Sequence, residues 1–434
     1  MAVLVVALAI FAPSAGAAVF FHAALLRSTP SADAKLSKAP KDIRLVFSEE
    51  VVPSLSQVTL IGPTGDSTKL RVTNDPHDVH TLVGAVSPAL ASGGRYSVFW
   101  RVVSADGHLV DGTFSFSLAG PVATAPTAVL PPPIGSQKQP PASPTVMNAE
   151  VPAFAALLRG LGLGALMAAV GILFFGATTQ QGDARVPQSL VLWLTAAGAL
   201  LLSAHLVAWL IHLGTTSQDE TFFVVSVFRT KLGRVELVRT ALALLTLIAV
   251  LTGRSNRVPL VFGLLCLAVS GAVGHSAAIN PALAIPGKSI HLIASALWLG
   301  GLLWLLATSG ADVETRRSES FRVSAYALIA VIAVVLSGLL QTVLALNTPA
   351  DLLSSTYGKL VIAKIIGLLI LIVYGAYNRY SVLPEYAAGG EVKLRRSMKQ
   401  EIMIMSFLIL IGGFLAYTSP PPPGSSAPVT RGTE

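Results

Sequence analysis

One cysteine, Cys266, is all that this 434-residue chain contains. A single thiol builds no disulfide framework and no Cys-based zinc site. Charge is scarce too. Asp, Glu, Lys and Arg make up 12% of the residues, about half the share of a soluble domain. Methionine is missing from the whole stretch between Met1 and Met147, so a methionine-rich soft-metal site there is excluded. No P-loop, Gly-rich nucleotide motif or nucleophile–base constellation is present, which argues against an ATP-driven pump.

What the chain has in quantity is apolar surface. Hydrophobic residues are 53% of the total, and mean hydropathy is +0.69. A net charge of +8 would suggest nucleic acid in a soluble chain. Here most of it falls in short loops between apolar spans, where positive charge sets membrane orientation. A nucleic-acid partner is therefore not expected, and the lipid bilayer is.

Five segments follow along the chain. Residues 1–21 read as a signal peptide or an uncleaved anchor, with Ala15-Gly16-Ala17-Ala18 as the small-residue cleavage signature and no lysine or arginine before Arg27. Residues 22–119 alternate β-rich runs with turns. Ile43-Arg44-Leu45-Val46-Phe47, Gln57-Val58-Thr59-Leu60-Ile61, Arg95 to Trp100 and Thr113 to Ser117 are the clearest strands. Their spacing predicts an all-β sandwich or barrel of about a hundred residues. Residues 120–152 form a Pro/Ala-rich linker. Residues 153–418 predict an all-α polytopic bundle of about eight helices. The spans are 153–177, 188–212, 235–252, 258–276, 288–307, 322–346, 359–378 and 402–418, with 222–232 as a possible interfacial helix. Residues 419–434 read as a disordered tail.

With the β domain outside, the inner loops collect Arg185, Arg254, Arg257, Arg316, Arg317, Arg322, Arg379, Lys393, Arg395, Arg396 and Lys399. Fewer basic residues fall outside, so the positive-inside rule agrees with the secretory signal. The expected location is a bacterial inner membrane, multi-pass, with the N-terminal domain on the extracytoplasmic, periplasmic side.

This topology brings His205, His212, His275 and His291 to one face of the membrane. His205 and His212 stand two turns apart on one helix face. A short loop lets His275 and His291 approach each other. Ionisable residues in spans are functional candidates by default, and four imidazoles on one side suggest a metal or haem site. The plainer alternative is interfacial histidines bonded to backbone or water. Met167 and Cys266 are core residues or accessory soft ligands. Arg159, Arg239, Gln341 and Lys364 also lie in spans, with Glu150 and Glu236 as plausible acidic partners. In the β domain, Asp106-Gly107-His108 offers a carboxylate and an imidazole at a turn, and His77 and His80 form another possible pair.

Leu26-Arg27-Ser28-Thr29-Pro30, Ile43 to Glu49, Trp100 to His108 and Gly112 to Phe116 resemble the periplasmic copper-binding CopC family across nearly all of 22–119. His291 to Leu302 (HLIASALWLGGL) and Tyr357 through Arg379 resemble CopD. The chain therefore looks like a CopC–CopD fusion, a class associated with copper resistance and copper import. The resemblance implies an Ig/cupredoxin-like β domain binding Cu(II) through His22, Asp106 and His108, with His22 supplying amine and imidazole as an N-terminal residue. Val19-Phe20-Phe21 is a poor cleavage site, so His22 would keep several residues before it and lose the amine. The membrane site would be His205, His212, His275 and His291, carrying Cu(I) or Cu(II). The expected activity is transport rather than catalysis. An external reductant or a copper chaperone is the implied partner, since the sequence carries no reductant. The rivals are a haem-b oxidoreductase using His205/His212 and His275/His291, and a copper-sequestering or sensing scaffold.

Overall fold

The structure is a computed structural model that describes residues 25–87, 90, 93–104, 109–121, 153–179, 186–214, 225–253, 255–273, 280–308, 312–346, 348–383 and 391–418. The segments 1–21, 120–152 and 419–434 lie almost wholly outside that range. The chain divides into two compact units: Phe20–Glu150 with Leu210–Arg234, and Met1–Val19 with Val151–Trp209 and Val235–Glu434.

The first unit is built on eight strands: β1 (Leu25–Thr29), β2 (Lys35–Leu36), β3 (Asp42–Phe47), β4 (Gln57–Ile61), β5 (Ser67–Asp75), β6 (Asp78–Ala85), β7 (Gly94–Val103) and β8 (Leu109–Leu118). They form one sheet in the order β1-β3-β6-β5-β4-β7-β8-β2. Every pairing is antiparallel except β2 with β8. Alternation builds the core, because successive side chains point to opposite faces. Ile43, Leu45 and Phe47 of β3 and Tyr96, Val98, Trp100 and Val102 of β7 point inward and are buried. Phe47 meets Trp100 edge-on at 5.3 Å, and Tyr96 stacks on Phe116 at 5.5 Å. Gly112 sits opposite Trp100 in the β7–β8 register, and a Cβ there would run into the indole.

Eight helices carry the second unit: α1 (Ala153–Thr178), α2 (Gln188–Gly214), α3 (Lys231–Thr252), α4 (Arg257–Ser270), α5 (Pro281–Ala307), α6 (Val313–Ala345), α7 (Thr356–Tyr377) and α8 (Glu391–Leu415), of which residues 210–214 of α2 and 231–234 of α3 group with the first. Seven are long and apolar enough to cross a membrane; α4, at 14 residues, is the short one. The eight expected spans thus become seven long helices and one short one. At Val225–Arg229 the chain makes a single π-helical turn.

Helix α1 is the axis of the bundle. In its apolar stretch 67% of residues are buried, against 17% in that of α7. Glycine lets backbones meet there, as membrane helices require. A Cβ on Gly171 of α1 would lie 2.6 Å from Gly300 Cα of α5. One on Gly413 of α8 would lie 2.6 Å from Ala156 O of α1. The outer faces stay apolar: Trp193, Leu200, Ile329 and Val373 are all exposed. Patches that wide need lipid acyl chains against them.

Three helices start earlier than hydropathy predicts, and polar caps open two of them. Asn280 accepts from Leu283 N at 3.2 Å, with Pro281 following it. Asp312 accepts from Thr315 N at 3.0 Å. Helix α8 begins at Glu391, in a charged stretch.

Candidate functional site

Two groups of polar side chains lie inside the helical unit, near opposite ends. The first gathers at the end where α1 begins. Arg159 comes from α1, His205 from α2, Glu236 and Arg239 from α3, and Tyr417 from the residues after α8. Glu236 and Arg239 share a face of α3 three residues apart and pair directly. Arg159 Nη1 reaches the other carboxylate oxygen of Glu236 at 3.4 Å. His205 Nδ1 lies 3.2 Å from Glu236 Oε2 and 3.0 Å from Arg239 Nη2. Its Nε2 is hydrogen-bonded to the Tyr417 hydroxyl. All four charged or imidazole residues are buried.

A carboxylate between two guanidiniums is how a buried ion escapes its desolvation penalty. The match is incomplete: Nε and Nη1 of Arg239 have no partner among the described residues. Cys266, buried on α4, donates its thiol to Arg239 O at 3.2 Å. Met167 packs in the same hydrophobic cluster as Cys266.

His291, on α5 near the same end, has a different environment. Its Nδ1 lies 3.0 Å from Ser337 Oγ on α6. The Ser337 hydroxyl donates to Ala333 O, one turn back, so towards the imidazole it acts as acceptor. An imidazole donating from Nδ1 to Ser337 would keep its Nε2 lone pair for a ligand. Neighbouring Lys288 donates to Val273 O at 2.5 Å. Gln341 donates to Ala284 O at 2.9 Å.

His205 and His291 are thus the two histidines that the structure describes within the expected membrane site. His205 has both ring nitrogens engaged; among the described residues Ser337 is the side chain that His291 is bonded to. His212 lies in α2, but its side chain is outside what is described. His275, His22, Asp106, His108 and Glu150 lie outside the described residues. Among the described residues, no three His, Cys, Asp or Glu side chains gather in metal-holding geometry. In the β domain, His80 Nδ1 lies 3.1 Å from Asp78 Oδ1. The Thr81 hydroxyl and the His80 backbone N–H hold the Asp78 carboxyl below the usual carboxylate range.

The opposite end holds residues that sequence reasoning missed. Glu319 of α6 accepts from Trp304 Nε1 at 2.7 Å and from Thr179 Oγ1 at 3.1 Å, and pairs with Arg322. Glu401 of α8 is buried and accepts from Asn378 and Trp298. An acidic residue near the start of a span, with helix-spaced apolar neighbours, was the available signal.

A β-sheet domain carried by a chain with seven spanning-length apolar helices and an ionised core defines a multi-pass membrane protein. Family models match in three stretches: CopC domain over residues 25–119, copper resistance protein D-like N-terminal domain over 147–285, and copper resistance protein D over 319–415. The copper transport protein CutJ of Bacillus subtilis is 24% identical over 93% of this chain and 75% of its own. YobA of Escherichia coli K12 is 36% identical over 23% of this chain and 81% of its own. The crystal structure of CopC from Methylosinus trichosporium OB3b aligns at 28% identity over 24% of this chain and 100% of its own, with a TM-score of 0.21. The chain belongs to the CopC–CopD family of copper resistance and copper transport proteins, with both domains in one polypeptide. That is a transport and resistance family, not an enzyme family.

Proposed function

We propose that the protein takes up copper at the extracytoplasmic side of the bacterial inner membrane and passes it towards the cytoplasm. The outer domain captures Cu(II) through His22, Asp106 and His108, whose nitrogen and carboxylate donors suit that ion. The bundle accepts copper at its outer end through His275 and His291, with His212 in support. His205 joins when the Tyr417 hydroxyl leaves its Nε2. An external reductant or a copper chaperone supplies the electron or the ion.

The observation that carries this reading is His291 inside a bilayer span, with Ser337 Oγ 3.0 Å from its Nδ1. In this reading Ser337 accepts the Nδ1 hydrogen, and a neutral imidazole presents its Nε2 lone pair to copper. Metal-binding histidines are oriented by such a bond to the other nitrogen. The basic inner loops support the orientation.

The test is copper content of the cytoplasm by mass spectrometry. Cells making the full chain are compared with cells making His275→Ala/His291→Ala at matched protein levels. The expected result is a rise that needs both histidines. No difference, or a fall with the intact chain, would overturn import and favour sequestration.

A further inference from the structure

Three buried carboxylates of the bundle invite comparison. Glu236 is paired with Arg239 and Arg159. Glu319 is paired with Arg322. Glu401, 2% exposed, has no basic partner among the described residues. It is held by two neutral donors, the Asn378 amide and the Trp298 indole. An ionised carboxylate in that setting is costly without a cation. The Asn378 carbonyl oxygen is also buried and has no partner among the described residues.

The neighbours of Glu401 suggest which cation. Met398 and Met405 lie three residues before it and four after it, on the same inward face of α8. They are 2% and 4% exposed. Both pack in one cluster with Trp298. Met398, Met405 and Met403 are the only methionines after Met167, and Met403 turns outward. Thioethers favour soft monovalent metal, and a carboxylate supplies the compensating charge.

Trp298 also connects this place with His291. His291, Ser295 and Trp298 follow one another along one face of α5, and the Ser295 hydroxyl donates to His291 O at 2.7 Å. The rise from His291 to Trp298 is two turns, about 10 Å.

We infer that Met398, Glu401 and Met405 form a second site on the copper path, a soft-metal site for Cu(I) that receives the ion from the His291 level before release at the other end of the bundle. This rests on reading the bundle as a copper path. The oxygen of Asn378 completes the ligand set, and Trp298 forms its wall.

The test is silver(I) binding to the purified full-length protein, with silver as a redox-inert stand-in for Cu(I). Met398→Leu/Met405→Leu keeps the volume of the core and removes both sulfurs. Glu401→Gln keeps the hydrogen-bond acceptor and removes the charge. Each variant is expected to weaken one silver equivalent at least tenfold. Its metal-free melting temperature should stay close to that of the parent, and silver-edge X-ray absorption should lose its sulfur ligands in the double variant. Cys266→Ser/Met167→Leu is expected to keep them. Unchanged silver affinity in Met398→Leu/Met405→Leu, or sulfur ligands that vanish with Cys266 and Met167 instead, would overturn the site. His275→Ala/His291→Ala separates the two claims. If that variant still accumulates copper in cells while silver binding depends on Met398 and Met405, uptake through the histidines fails and the site stands.

Discussion

Trp100 and Glu236 are both fully buried, at 0% exposure, but for opposite reasons. Trp100 fills a sheet core made of alternating apolar side chains. Glu236 sits in a helical core, with the positive charges that make its burial tolerable arranged around it. The bundle carries ionisable groups through its interior, where only a function gives reason to keep them.

Several measurements would break or sharpen that contrast. The largest effects are expected at its two poles. Trp100→Ala should cost about 3–5 kcal/mol through a cavity. Glu236→Ala should cost about 3–5 kcal/mol by leaving two guanidiniums unpaired. The mechanisms separate in the double variant. Adding Arg239→Met should restore part of the loss at Glu236, as equilibrium unfolding would show, and should restore nothing at Trp100. Next is Gly112→Ala, which presses a methyl on the Trp100 indole and should cost about 1–3 kcal/mol. His291→Ala should leave the melting temperature close to that of the parent while abolishing copper uptake, since its described bonds, to Ser337 and to the Val334 backbone, are modest. The smallest effect concerns Asp78, whose carboxyl is held below its ordinary range by Thr81 and His80. A lowered folded value means stability that is full above the ordinary carboxylate range and is lost as pH falls through the lowered one. Asp78→Asn should therefore flatten the acid side of the unfolding-midpoint profile and leave neutral pH nearly unchanged.

Much of the architecture was legible in the sequence. Strands β3, β4, β7 and β8 announce themselves because their inward positions are all apolar. Strand β5 does not: Ser67–Asp75 is polar and mostly exposed, and Leu70 is its one buried residue. Strand β2 has only two residues. The spans were visible by hydropathy, but their starts were misplaced where Asn280 and Asp312 cap helices inside polar sequence. At the candidate site, the candidacy of the histidines followed from their position in apolar spans. Their states did not. That Ser337 meets His291, or that Tyr417 occupies His205, depends on contacts 46 and 212 residues apart in the chain. No local pattern reports such a contact. Glu401 went unnoticed because its meaning comes from having no cation beside it among the described residues, which only comparison with Glu236 and Glu319 in space brings out.

The central claim is that copper enters the bundle through an imidazole held ready by Ser337. The most direct measurement is copper entry into sealed vesicles carrying the purified full chain, with a copper-sensitive chelating dye inside and copper added on the side of the β domain. The account predicts that vesicles with the parent chain fill and those with His291→Ala do not. Equal filling by both, or no filling by the parent chain with a reductant present, would contradict it.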